Sequence, residues 1–178
     1  MVTAPFDSAT PPPPRWAVRA AHVAALLTLP SGIWRLFLAT GHPAGYTDEG
    51  FAAMDVTGWG AVYVVGLSVV CEALALLTLG LVRPWGEVLP RWIPLLGGRR
   101  VHPMAAVVPA GLGAVALTVL WTPFVAWWAT PDSDMTELGN TLVGFLYLPL
   151  VAWGPLLGAV TLSYHRRHRA PRSERQPS

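Results

Sequence analysis

The chain has 178 residues, 53% hydrophobic and only 12% charged, with a formal net charge of +2 at pH 7. A soluble domain usually carries about 25% charged residues, so this composition disfavours a soluble fold. The single cysteine, Cys71, excludes an intrachain disulfide and a Cys-based zinc site.

Residues 1–14 are polar and end in four prolines, which reads as a flexible cytoplasmic arm. Arg15 and Arg19 come next, at the head of a first apolar run over residues 16–40. A cleaved signal peptide has a basic start and an apolar stretch of only about 7–15 residues. This run is longer, so it reads as a retained span.

Three further runs follow, over residues 58–82, 103–129 and 139–164. About 20 apolar residues in a helix cross the hydrocarbon core of a bilayer. A membrane barrel needs many segments of about 10 residues with alternating polarity, and these runs are continuous. The fold class expected is all-α: an integral membrane four-helix bundle, up-down-up-down, forming one domain over residues 15–165. Residues 166–178 are expected to form a basic disordered cytoplasmic tail. No convincing internal repeat is apparent.

The connecting segments alternate in charge. Residues 41–57 carry Asp48, Glu49 and Asp55 without Arg. The next connection holds Arg83, Arg91, Arg99 and Arg100 against Glu87. The third carries Asp132, Asp134 and Glu137, again without Arg, and the tail carries Arg166, Arg167, Arg169, Arg172 and Arg175. Short Arg-rich loops stay inside, so both termini are expected on the cytoplasmic side of a bacterial plasma membrane. The basic pI follows from this threading and does not point to nucleic acid. Trp16, Trp59, Trp127, Trp128 and Tyr164 lie near run ends, where amphipathic rings favour the headgroup level.

Five prolines lie inside the runs: Pro30, Pro109, Pro123, Pro149 and Pro155. Each removes a helix hydrogen bond and crowds the carbonyl four residues back. They are read as ordinary membrane-helix prolines or as kinks that open a cavity. Gly154 and Gly158, and Ala106, Ala110 and Ala114, have the small-xxx-small spacing of close helix contacts, either within the chain or in a homodimer.

Two charged residues stand well inside the runs, away from their ends. Glu72 is near the middle of the second, and a centred acid costs roughly 2.5–3.5 kcal/mol on insertion scales. Helical periodicity places Ser68, Glu72 and Ala75 on one face, and Thr28, Ser31, Gly32 and Arg35 on another. At 1.5 Å per residue, Arg35 and Glu72 are offset by about 13 Å, so Arg35 is expected to snorkel toward Asp48, Glu49 or Asp55. His22 is offset from Glu72 by only about 6 Å, which favours a Glu–His pair able to hold or pass a proton. Glu72, His22, Arg35 and Ser68 therefore form the candidate intramembrane polar site. The alternative is a static buried pair, or no contact. No haem, other cofactor or metal is expected: only one histidine lies in an apolar region. Phosphate-loop, zinc-protease and nucleophile-elbow motifs are absent.

The second connection reads VRPWGEVLPRWIPLLGGRRVHP. Its Arg83, Arg91, Arg99 and Arg100 interleave with Trp85 and Trp92, a pattern suited to contacts with anionic lipid headgroups. Together with YVVGLSVVCEALALLTLGLVRPWGE before it and VVPAGLGAVALTVLW after it, this loop resembles small, uncharacterised four-span integral membrane proteins of actinomycetes. The resemblance covers about residues 16–165 and implies the same architecture, with no activity attached. Three functions stay open: a non-enzymatic accessory or lipid-contacting component, a small proton-coupled transporter using Glu72, and an intramembrane enzyme acting on a lipid or isoprenoid. The expected partners are the bilayer and either a second copy or another membrane protein.

Overall fold

A computed structural model describes residues 11–56, 58–83 and 103–169. All regular structure among these residues is helical, apart from one isolated antiparallel bridge between Tyr46 and Met135. Four helical stretches are long and apolar enough to cross a membrane: Arg15–Ala39, Trp59–Gly80, Pro103–Ala129 and Glu137–Arg169. We call them spans 1 to 4.

Proline breaks three of them. Span 1 divides into α1 (Arg15–Leu26) and α2 (Leu29–Ala39). Leu26, the last residue of α1, is the residue whose carbonyl Pro30 crowds. A short α3 (Asp48–Ala53) follows in the connection. Span 2 is the unbroken α4 (Trp59–Gly80), which contains no proline. In span 3, α5 (Pro103–Trp121) tightens into a 3-10 helix over Thr122–Ala129, which Pro123 opens. In span 4, α6 (Glu137–Tyr147) and α7 (Trp153–Arg169) flank a 3-10 turn that starts beside Pro149. Pro109 sits in the interior of a continuous α-helix, and Pro155 in the first turn of α7.

Spans 1 and 4 are central. Span 1 packs on span 2 and on α7, while α5 packs most extensively on α7. Besides Gly32, the buried positions of span 1 are Ala17, Ala21, Ala24, Thr28, Ser31, Arg35 and Leu38. Their spacing alternates four and three, the period of a coiled-coil seam. Small side chains along it let the helices approach closely. Toward the Arg-rich ends, Ala17 and Ala21 meet Leu81, Val82, Ala114, Leu157, Val160 and Tyr164. Next to this cluster, Ala24 and Ala75 meet Leu150 and Trp153.

The small-xxx-small residues are used inside the chain. A Cβ on Gly154 would collide with Thr118 Oγ1, and one on Gly158 would lie 3.6 Å from the Ala114 Cβ. The outward faces carry bare apolar side chains, such as Val69, Leu112, Val119 and Phe145. Thr28, Ser31, Arg35 and Ser68 are buried. Polar groups inside and apolar groups outside is the arrangement expected where hydrocarbon is the solvent.

Tyr164, near the end of its run, is 1% exposed, with the Arg167 guanidinium 5.5 Å from its ring centroid. The helix seam continues past it, so its ring faces α1. Trp16, Trp59 and Trp128 are exposed.

Candidate functional site

The polar side chains of the spans meet between α2, α4 and α6. Arg35 lies on the seam of α2 and is 6% exposed. Its Nε donates to Ser68 Oγ at 2.9 Å, and Nη1 donates to Tyr147 Oη at 3.2 Å. The guanidinium also sits 5.7 Å from the Tyr147 ring centroid. Ser68 passes its own hydrogen to the Val64 carbonyl at 2.8 Å, which leaves its lone pairs for Arg35. Three spans are therefore tied through one guanidinium.

Two turns earlier on span 1, the Thr28 hydroxyl lies 2.9 Å from Glu72 Oε2 and 3.0 Å from the Ala25 carbonyl. A hydroxyl has one hydrogen to give and two lone pairs to offer. Thr28 either donates to the carboxyl or donates to Ala25 and accepts from a protonated Glu72. The two patterns differ by one proton. Glu72 Oε1 is buried with no hydrogen-bond partner among the described residues. It lies against Gly32, where a Cβ would come within 2.8 Å of it. Gly32 is thus the residue that lets α2 approach the carboxyl.

The arrangement corrects two expectations. Arg35 does not snorkel toward Asp48, Glu49 or Asp55. Its stripe continues the buried seam, and Ser68 and Tyr147 supply acceptors there. His22 does not meet Glu72. It stands one residue off the seam, and its Nδ1 bonds the Val18 carbonyl of its own helix at 2.7 Å. Its Nε2 faces Arg83 Nη2 at 3.3 Å. Arg83 can only donate, so Nε2 accepts and Nδ1–H donates. Glu72 takes Thr28 instead, and Ser68 and Glu72, one turn apart along α4, are joined to span 1 by separate hydrogen bonds, to Arg35 and to Thr28. Of the residues proposed for headgroup contact, Arg83 is exposed and near His22. Trp85, Arg91, Trp92, Arg99 and Arg100 lie outside the described residues.

Tyr147 was not singled out in the sequence. Its signal was weak: a tyrosine one residue ahead of a proline-marked break, whose facing depends on where that break falls. The second omission is a clasp at the acidic end. Thr47 caps α3 by accepting from Gly50 N at 3.1 Å, and Thr136 caps α6 by accepting from Gly139 N at 3.0 Å. Each threonine also reaches across. Thr47 N donates to the Asp134 carbonyl at 2.9 Å, and Thr136 N donates to the Gly45 carbonyl at 3.0 Å. The two hydroxyls donate to the same carbonyls, each at 3.1 Å. The contact is so close that a Cβ on Gly139 would collide with the Gly45 carbonyl, and one on Gly50 with that of Asp134. The legible signal was a short repeat, YTDEG at 46–50 and MTELG at 135–139.

Tyr46 belongs to this clasp. Burial, reinforced by the nearby charge of Asp132, pushes its phenol up to about 12. Among the described residues no group of three or more His, Cys, Asp or Glu side chains could hold a metal ion.

No protein-family model matches the chain, and neither a curated protein nor a solved structure resembles it significantly.

Proposed function

We propose that this chain is a four-span protein of the bacterial plasma membrane, with both termini on the cytoplasmic side and its helices running up-down-up-down. We take its kin to be small membrane proteins of actinomycetes. Its role is non-enzymatic: it serves as an accessory or lipid-contacting component, working through the bare faces of spans 2 and 3 and the Arg-rich connection between them.

One observation carries this reading. Most of the buried polar side chains where α2, α4 and α6 meet bond one another: Arg35 with Ser68 and Tyr147, and Thr28 with one oxygen of Glu72. A buried charge with acceptors in place holds helices together, and its loss is costly. Meanwhile spans 2 and 3 expose Val69, Leu112, Val115 and Val119. Those faces supply contact area for lipid or for another membrane protein. The test is site-specific photo-crosslinking from positions 69, 112 and 119 in native membranes. Crosslinks to lipid or to one defined protein from these positions support the reading. Substrate-dependent protection of Glu72, with no crosslink from the bare faces, opposes it.

A second reading is a proton-coupled transporter. It is favoured by the unpartnered Oε1 of Glu72 and by the two hydrogen-bond patterns at Thr28 that differ by a proton. Proton flux into vesicles that survives Glu72→Gln removes it.

A further inference from the structure

Away from the polar site, a cavity of about 420 Å³ opens between α6 and the 3-10 helix Thr122–Ala129. That volume lies within the range of small-molecule sites, about 300–1,000 Å³. Its walls include Trp121, Phe124 and Trp127, and its lining also includes Asp132 and Asn140. The aromatic walls are held edge-on: Trp121 to Phe124 at 5.8 Å and 81°, and Trp127 to Phe145 at 5.8 Å and 68°. Trp127 lies against Gly144, where any Cβ would strike the indole. The mouth is equally fixed. Asn140 Nδ2 donates to the Asp132 carbonyl at 2.9 Å, and Asn140 Oδ1 accepts from Asp132 N at 2.8 Å. The Asp132 carboxylate accepts from Asp134 N at 2.9 Å through Oδ1. Its other oxygen has no partner among the described residues.

Aromatic faces carry negative electrostatic potential and attract cations. Here they line one cavity with Asp132, in a region where residues 41–57 and 130–138 contribute six carboxylates and no Lys or Arg. Such a field concentrates cations and repels anions. We propose that this cavity binds an organic cation, a quaternary or arylalkyl ammonium whose apolar body packs on Trp121, Phe124 and Trp127 while its charge lies beside Asp132. The site goes beyond the accessory role. Its placement on the outer face rests on the threading given there, whereas binding in detergent does not.

The experiment is equilibrium binding to the full chain in neutral detergent, using three probes that share one ring: benzyltrimethylammonium, benzyl alcohol and benzoate. Saturable binding of the cation alone is expected. Trp127→Leu should weaken it about tenfold, with Trp127→Phe recovering most of the loss. Asp132→Asn removes an exposed charge and should weaken binding about threefold. Because Trp127 packs on α6, its variants are checked for an unchanged unfolding midpoint. If they fail that check, Asp132→Asn decides the matter alone. Equal binding of all three probes, or an unaltered cation affinity in Asp132→Asn, overturns the proposal. Orientation is read separately in cells, so a wrong threading and an absent site give different results.

Discussion

The two ends of the spans are held together by different means. Toward the Arg-rich ends the contact is an apolar seam of small residues: Ala17 and Ala21 against Ala114, Val160 and Tyr164. Toward the acidic loops it is a set of directed hydrogen bonds: Arg35 with Ser68 and Tyr147, and Thr47 and Thr136 with each other's loops. On the proposed membrane reading, the difference follows from the solvent. Lipid tails are as apolar as leucine, so burying alanine there gains only close packing. A guanidinium or a backbone N–H in the same medium must find a partner or cost several kcal/mol. The seam tolerates small errors in shape, whereas the polar half fixes one register.

The largest effect should come from the clasp. Gly139→Ala forces a methyl into the Gly45 carbonyl, and we expect a loss of about 3 kcal/mol in reversible unfolding from mixed micelles. A loss below about 0.5 kcal/mol would mean the loops part easily, and the contrast between the halves would weaken. Ser68→Ala takes away an acceptor of a buried cation and should cost about 2 kcal/mol. In the seam, Val160→Ala should cost about 1 kcal/mol, because a fully buried valine loses only packing. Leu112→Ala, at a residue 68% exposed, should change stability by less than about 0.5 kcal/mol. A reversed order for Ser68 and Val160 would break the comparison.

The last effect is electrostatic and is felt only at high pH. The Tyr46 phenol is raised from 10.0 to about 12, so the folded state holds its proton more tightly than the unfolded chain. That stabilisation is complete below pH 10 and is lost as pH rises toward 12. Ultraviolet titration should show a late phenolate component that shrinks by one tyrosine in Tyr46→Phe, with the clasp loosening over the same interval.

The four apolar helices were legible because length and continuity are local properties, readable within one window of sequence. The shared face of Ser68 and Glu72, and that of Thr28 and Arg35, followed from helical spacing alone. Partner choice was not legible. It depends on how far α2 rotates after the break near Pro30, and an error of one residue turns a side chain by about 100°. Depth arithmetic placed His22 opposite Glu72, but the facing seam put Thr28 there. The clasp was harder still, since its bonds join residues 87 and 91 positions apart. Only a five-residue echo hinted at it.

The central claim is that hydrocarbon surrounds these helices and that the chain crosses it four times, with its acidic loops outside. Cys71 is the only native cysteine, so Cys71→Ala provides a clean background for labelling. Single cysteines replacing Asp48, Asp134, Arg83 and Arg169 would then be exposed to a membrane-impermeant maleimide on intact cells. The account predicts labelling at 48 and 134, with 83 and 169 reacting only after lysis. Labelling at 48 and 83 from the same side would contradict it.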